Sequence, residues 1–395
     1  MLSAQQSGFR KGHSTDTVLT FFSDYLLKQM DVGNLTGVVF LDFRKAFDSV
    51  NHELLLQKLQ TFGVQGIELA WFKDYLDKRK QKTVIGEAES NWSTILSGVP
   101  QGSILGPLLF TIMVNDLPNS VSKCQIMLYA DDAVLFYSSP KPEDIERTLN
   151  LELVNVHEWV KANKLALNLL KTQYMIFGSS NKLSNIRNPI CLAIDEHQLS
   201  QVDSFKYLGV WLDPTLNWKE HVKNTSKKIG ARIARLGRTK KYLPCSSLKL
   251  LANSLIMPLF EYCCNAWSNC SQNVKDTLIK QHKKMARVIL GADVRTPTQN
   301  LFKRLHWVNI EERWKYHRCK MVYHALSDQS PLYLSDMFVR PHLLHDHRTR
   351  NAANLGLILP RSRTQMGKRR FSHEAAVNWN ELPNIVKQAP SKICL

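Results

Sequence analysis

Two adjacent aspartates, Asp131 and Asp132, stand at the centre of the otherwise apolar stretch IMLYADDAVLFYS. Burying charge is costly, so the tight turn of a β-hairpin is the cheap place for them. As strand neighbours they point to opposite faces, and at most one looks straight into a shared site. Taken alone, the pair reads as a solvent-exposed turn. A third acid, Asp42, ends the buried strand pattern VVFLDF, and a fourth, Asp48, follows near the start of a helix. Converging carboxylates repel unless a cation lies among them. Hard divalent ions such as Mg²⁺ suit an oxygen cluster whose remaining ligands come from substrate phosphates. Two such ions held a few ångströms apart serve phosphoryl or nucleotidyl transfer.

The elements that must position these acids alternate up to about residue 180, an α+β or α/β signature. GVVFLDF (37–43) predicts a buried strand, and 51–62 a helix capped by Asn51. A second helical pattern covers 66–79. QKTVIG and NWSTILSGV predict strands around a polar turn. After SGVPQGSILGP comes a helix to about Leu117, then the two β-rich arms of the YADD stretch. An amphipathic helix from about Pro142 to Asn163 follows, then the strand YMIFG and a β-rich stretch through FKYLGVWLD. From about residue 217 the chain reads as mostly helix, with Pro258 bending or ending one segment. The last 65 or so residues read as loop-rich and poorly packed.

The charge is divided unevenly. The whole chain of 395 residues carries 52 Lys and Arg against 34 Asp and Glu, a net of +18. Up to residue 178 there are 17 basic and 19 acidic residues, and beyond it 35 and 15. The near-neutral front thus holds the candidate metal ligands, and the basic back points to a polyanion. No apolar run is long enough to span a membrane, and the first residues lack an apolar signal core. Eight cysteines without a CxxC pair fit neither a disulfide framework nor a zinc finger. Cys263, Cys264 and Cys270 read as buried free thiols, and a reduced intracellular compartment is the default. His342, His345 and His347 with Asp346 read as a surface loop, because nothing nearby completes a metal set.

FLDFRKAFDSVNHELLLQKL, GVPQGSILGPLLFTIMVNDLP, YADD, WVKANKLALNLLKTQYMIFG and FKYLGVWLD occur here in this order. In order and spacing they resemble the reverse transcriptase of non-LTR, LINE-type retrotransposons, the jockey-like elements above all. LFKRLHWVNIEERWKYHRCKMVYHAL, PLYLSDMF, HRTRNAANL, PRSRT and FSHEAAVNWNELP resemble the segment that follows the polymerase in such elements. The resemblance implies an α+β right-hand polymerase: palm with partial fingers over 1–215, helical thumb over 216–300, and a basic C-terminal extension over 301–395. Asp42 and Asp131 would be the principal ligands of two Mg²⁺ ions, with Mn²⁺ as an alternative, and Asp132 the companion acid. The backbone of Phe43, Arg44, Lys45 and Ala46 would lie along the incoming triphosphate.

Phe47 matches the family's steric gate, an aromatic ring that leaves no room for a 2′-hydroxyl; read alone it is a core aromatic. Pro100, Gln101 and Gly102 match the loop that approaches the template and nascent pair; read alone, SGVPQG is a turn. Lys171 matches a proposed proton donor to pyrophosphate, against the plain reading of a solvated lysine. Tyr207, Leu208 and Gly209 match the primer grip, and Gln6, Gly8 and Phe9 a motif near the template. Asp48 has no derived role beyond capping the next helix. The stripe containing Lys227, Lys228, Arg232, Arg235 and Arg238 falls in the family's thumb, which follows the duplex by backbone contacts. Trp307, Trp314 and Tyr316 offer stacking surfaces or core.

The implied function is RNA-directed DNA polymerisation from a primer 3′-hydroxyl. Its partners would be an RNA template, a DNA primer or duplex and deoxynucleoside triphosphates, with no membrane, in the nucleus or cytoplasm. The family's preceding fingers segment, its endonuclease and any zinc knuckle lie outside this sequence, so the endonuclease would come from elsewhere. The alternative is a truncated or domesticated remnant that binds nucleic acid without polymerising. An RNA-dependent RNA polymerase is disfavoured by PQGS together with Phe47.

Overall fold

Periodicities of 3.6 and 2 alternate along the first half of the chain, and the computed structural model, which describes residues 2–341 and 355–388, gives them an α+β form. Helix α1 (Thr15–Asp31) opens on a capping box: the Thr17 amide donates to Ser14 Oγ and the Ser14 amide to Thr17 Oγ1. Strand β1 (Leu35–Asp42) is buried along its length except at Asp42. Helix α2 (His52–Thr61) starts at Asn51, whose side chain accepts from the Leu54 amide at 3.0 Å, and α3 is Gly66–Leu76. Two-residue strands between Lys80 and Thr94 form two small antiparallel pairs, all exposed.

Helix α4 (Leu105–Met113) precedes the hairpin of β2 (Gln125–Tyr129) and β3 (Asp132–Ser139). Helix α5 (Pro142–Ala162) begins on proline, whose missing N–H costs nothing in a first turn. Strands β4 (Gln173–Phe177) and β5 (Ser200–Gln201) and a hairpin of β6 (Phe205–Tyr207) and β7 (Val210–Leu212) follow. The remainder is helical: α6 (Lys219–Thr239), α7 (Cys245–Leu255), α8 (Gln272–Leu290), α9 (Thr298–Leu305), α10 (Ile310–Leu326) and α11 (Phe371–Asn380) are its longer members. Ile256 interrupts the helical run before Pro258, which sits in the first turn of a new short helix.

Two units divide the chain. One comprises residues 1–13, 35–176 and 181–202; the other comprises 14–34, 177–180 and the rest. The first is built on a five-stranded sheet of order β5-β4-β1-β3-β2. Strands β1 and β3 are antiparallel, in register from Leu35 opposite Ser139 to Asp42 opposite Asp132. Val39 and Leu41 join a core with Ile145, Leu149, Leu153 and Val156 of α5 and Phe110 of α4. Gly37 lets α5 come close, since a Cβ there would lie 2.5–2.6 Å from Ile145 and Leu149. Alternation places Asp42 on the other face, with Val38 and Phe40.

In the second unit α6 and α8 run side by side, Gly230 against Gln281 and Gly237 against Val288. Among the described residues, part of the tail departs from its loop-rich expectation. Phe371, Ala375, Ala376 and Trp379 of α11 pack with Met321, Val322 and Ala325 of α10. Buried acids of α1 hold it as well. Asp31 accepts from the backbone amides of Arg363 and Thr364, and Asp24 from the Ser372 amide at 2.7 Å and Arg370 Nε at 3.3 Å. Cys263, Cys264 and Cys270 are buried and free. No helix among the described residues is long and apolar enough to cross a membrane. The histidines at 342, 345 and 347, with Asp346, lie outside the described residues.

Candidate active site

The YADD turn is a two-residue connection between Tyr129 and Asp132, with Ala130 at φ +57° and Asp131 beside it. An alanine in this left-handed region is strained, and the segment before it supplies the restraint. Leu128 donates to Gln5 and accepts from Ser7, while Gln6 Oε1 accepts from the Ala130 amide at 3.1 Å and the Gly8 amide at 2.7 Å. Gly8 is required by this approach, because a Cβ would lie 2.2 Å from the Ala130 nitrogen. Gln6 is wholly buried and so braces the turn, whereas Phe9 at φ +55° is 61% exposed.

The register sets Asp132 directly opposite Asp42. Like charges in that position destabilise a sheet. Asp132 keeps solvent contact, yet the protein around its carboxyl excludes enough water to push it up to about 6, and the charges of Asp131 and Asp42 add to the rise. A bound cation reverses that logic. Among the described residues no set of three or more His, Cys, Asp or Glu side chains is arranged to hold a metal ion by itself. Asp42 and Asp132, paired in register, offer two carboxylates, and Mg²⁺ characteristically takes one or two and completes its shell with water and substrate phosphates.

Residues around Asp42 are fixed by the segment after α5. Asn168 donates its amide to the Asp42 carbonyl at 2.7 Å, Thr172 Oγ1 accepts from the Asp42 amide, and Arg44 donates to the Ala166 carbonyl. Lys171 is exposed in the turn between Asn168 and Thr172. Phe43 and Ala46 are buried, Arg44 and Lys45 are exposed, and Lys45 turns the chain at φ +49°. Phe47 is half-buried and stacks on Phe110 with centroids 4.7 Å apart. It therefore combines a core contact with an accessible edge.

Asp48 does not cap α2, a role that Asn51 fills; its carboxylate accepts from the Gln101 amide at 2.8 Å. Further ties hold the same loop: the Val99 amide donates to the Phe47 carbonyl, the Gly98 amide to the Val50 carbonyl, and Ser97 Oγ to the Asp48 carbonyl. His52 Nε2 and Arg79 both reach the Gly98 carbonyl. Close approach in this loop is needed at Gly98 and Gly106, whereas Gly102 faces open space and owes its glycine to a φ of +79°. Asp48 as the partner of Gln101 was invisible in sequence, where the two stand 53 positions apart.

The other expected residues lie in the second unit. Tyr207 is buried against Phe22, and Leu208 and Gly209, both at positive φ, form the turn of the β6–β7 hairpin. Tyr262 donates its hydroxyl to the Leu208 carbonyl at 2.9 Å. On α6, Ile229, Ile233 and Leu236 are buried, while Lys227, Lys228, Arg232, Arg235 and Arg238 are exposed. Arg232 also donates to the Leu255 carbonyl at the end of α7. Trp314 is core, its Nε1 bonded to the Phe260 carbonyl.

With an acidic strand end, a braced Asp-Asp turn and a glycine-bound loop beside them, the chain belongs to the reverse transcriptase (RNA-dependent DNA polymerase) family, which it matches over residues 1–212. Its relatives are transposon polymerases of the non-LTR kind. It is 29% identical to the probable RNA-directed DNA polymerase from transposon X-element of Drosophila melanogaster, over 73% of this chain and 32% of that one. To that from transposon BS of the same organism it is 27% identical, over 80% and 36%. To the RNA-directed DNA polymerase from mobile element jockey of Drosophila funebris it is 26% identical, over 73% and 32%. The matches thus take in about a third of these relatives' length. A telomerase structure from Candida albicans shows a weak likeness, with TM-score 0.38 and 12% identity over 81% of this chain and 48% of that one.

Proposed function

We propose that this chain is an RNA-directed DNA polymerase core that adds deoxynucleotides to a primer 3′-hydroxyl on an RNA template. The observation that carries the reading is Asp42 directly opposite Asp132 beside the Ala130–Asp131 turn, strained at Ala130, in a chain of the reverse transcriptase family. Asp42, Asp131 and Asp132 would hold two divalent ions, Mg²⁺ or Mn²⁺. Bound there, the ions would supply charge neutralisation for the attacking and leaving oxygens.

The protein's own groups do the positioning. The clamp from Asn168 and Thr172 fixes the backbone from which the Asp42 carboxylate projects. Segment 43–46 presents backbone and the free cations of Arg44 and Lys45 to a triphosphate, Phe47 bars a 2′-hydroxyl, and Lys171 offers a proton to departing pyrophosphate. Gln101 and Gly102 meet the nascent pair. Residues 1–215 act as palm with partial fingers, 216–300 as thumb and 301–395 as extension, and these regions cut across the two compact units. Tyr207, Leu208 and Gly209 steady the primer, and the exposed cations of α6 follow the duplex backbone. The work is intracellular, on nuclear or cytoplasmic nucleic acid.

Primer extension on an RNA template with deoxynucleotides and Mg²⁺ tests this. Asp131→Asn and Asp42→Asn should each lower product formation at least a hundredfold with duplex affinity retained. Purified protein that binds duplex and yields no product would instead identify a nucleic-acid-binding remnant.

A further inference from the structure

A pocket of about 570 Å³ opens in the second unit among α8, α9 and the start of α10, a volume within the range of small-ligand sites. It is lined by His282, Phe302 and Trp307, with Lys283, Lys303 and Glu311 among its polar residues. The Trp307 indole lies flat on the His282 imidazole, centroids 5.3 Å apart and planes within 14°, and Phe302 packs on the same imidazole at 4.7 Å. His282 is 1% exposed, and its Nε2 has no hydrogen-bond partner. Leaving such a nitrogen unpaired in the interior costs free energy, so the site is one hydrogen bond short of satisfied. Trp307 and Phe302 remain half-buried, leaving ring surface at the pocket.

This lining selects for a particular chemistry. Aromatic walls favour a flat π-system. Lys283 and Lys303 attract phosphate, while Glu311 suits an exocyclic amine; Glu312, also at the pocket, is engaged with the Asn309 amide in the capping box of α10. We infer that this pocket takes an unpaired nucleobase of a single-stranded nucleic acid, the base stacking beside Trp307 and its phosphate meeting Lys283 and Lys303. The reading depends on no feature of the polymerase site, and binding can be measured without catalysis.

The test uses the full chain in EDTA, so that no extension occurs, with fluorescence anisotropy on labelled single strands of about a dozen nucleotides. Trp307→Ala should weaken binding roughly five- to 150-fold, the range that base–aromatic stacking spans. Trp307→Phe should retain most of the affinity, which separates stacking from a folding defect. An abasic backbone of equal length and charge should bind the parent more weakly and respond little to Trp307→Ala. Paired RNA and DNA strands identify which of the two the pocket prefers. Equal affinity of Trp307→Ala and parent for the base-bearing strand would overturn the inference, as would equal losses on base-bearing and abasic strands.

Discussion

A Cβ added at Gly98 would lie 2.7–2.9 Å from the backbone of Asp48, in a residue whose φ is +89°. Gly102 has a similar φ and nothing within 4 Å. Gly98→Ala should therefore cost on the order of 2–4 kcal/mol, adding overpacking to backbone strain, and Gly102→Ala only about 1–2 kcal/mol. Urea unfolding of the two variants checks the order, and equal costs would mean that the loop relaxes away from Asp48. The Asp48–Gln101 hydrogen bond is exposed, so Asp48→Ala should leave stability within about 0.5 kcal/mol. Its effect belongs to loop position: KM for deoxynucleotides should rise roughly two- to tenfold, the worth of one hydrogen bond, while Asp48→Asn, which keeps an acceptor, should stay near the parent. Strand-end Asp42 and the Asp131–Asp132 turn were legible from period and punctuation. Which acid faces which was not, because register is set by pairing partners far along the chain.

On helix α6 the five cations expected to meet phosphate do not share one role. Lys227, Lys228, Arg235 and Arg238 are exposed, whereas Arg232 also closes the carbonyl end of α7. Changing each of the four to Gln should reduce the slope of log affinity against log salt for duplex by about one for every phosphate that a cation ceases to neutralise, with stability little altered. Arg232→Gln should in addition lower stability by about 1 kcal/mol, since it removes a cap at a helix C-terminus. A salt slope unchanged after all four substitutions would remove α6 from the nucleic-acid interface. The helical character beyond residue 217 was readable because apolar residues such as Ile229, Ile233 and Leu236 repeat every three to four positions. The packing of α11 was not, because Phe371 and Trp379 acquire meaning only beside α10 and their neighbours Arg370 and Ser372 beside Asp24 of α1.

At the scale of the whole molecule, the acids of α1 bear on both pH and assembly. Burial pushes Asp16 up to about 6, against hydrogen bonds from Asn265 and Thr20 and the charge of His317 that lower it. A carboxyl raised in the folded state keeps a proton there that the unfolded chain has lost, so its effect on stability worsens as pH climbs from about 4 to about 6 and is constant above. Asp16→Asn should therefore be more stable than the parent above pH 6, by on the order of 1 kcal/mol after allowing for partial solvent access, with the gain fading toward pH 4. The difference between variant and parent is the quantity to follow in urea titrations, since buried His221 and His282, both pushed down to about 4, tilt the raw curve the other way. A gain that does not vary with pH would place Asp16's cost in something other than its charge. The seam between Asp31 and Arg363, 332 positions apart, has a temporal side. At about 5–20 residues per second of synthesis, α1 leaves the ribosome roughly twenty seconds to a minute before the segment that pairs its acids exists, so Phe22 can already meet Tyr207 while Asp24 and Asp31 still wait for their backbone donors.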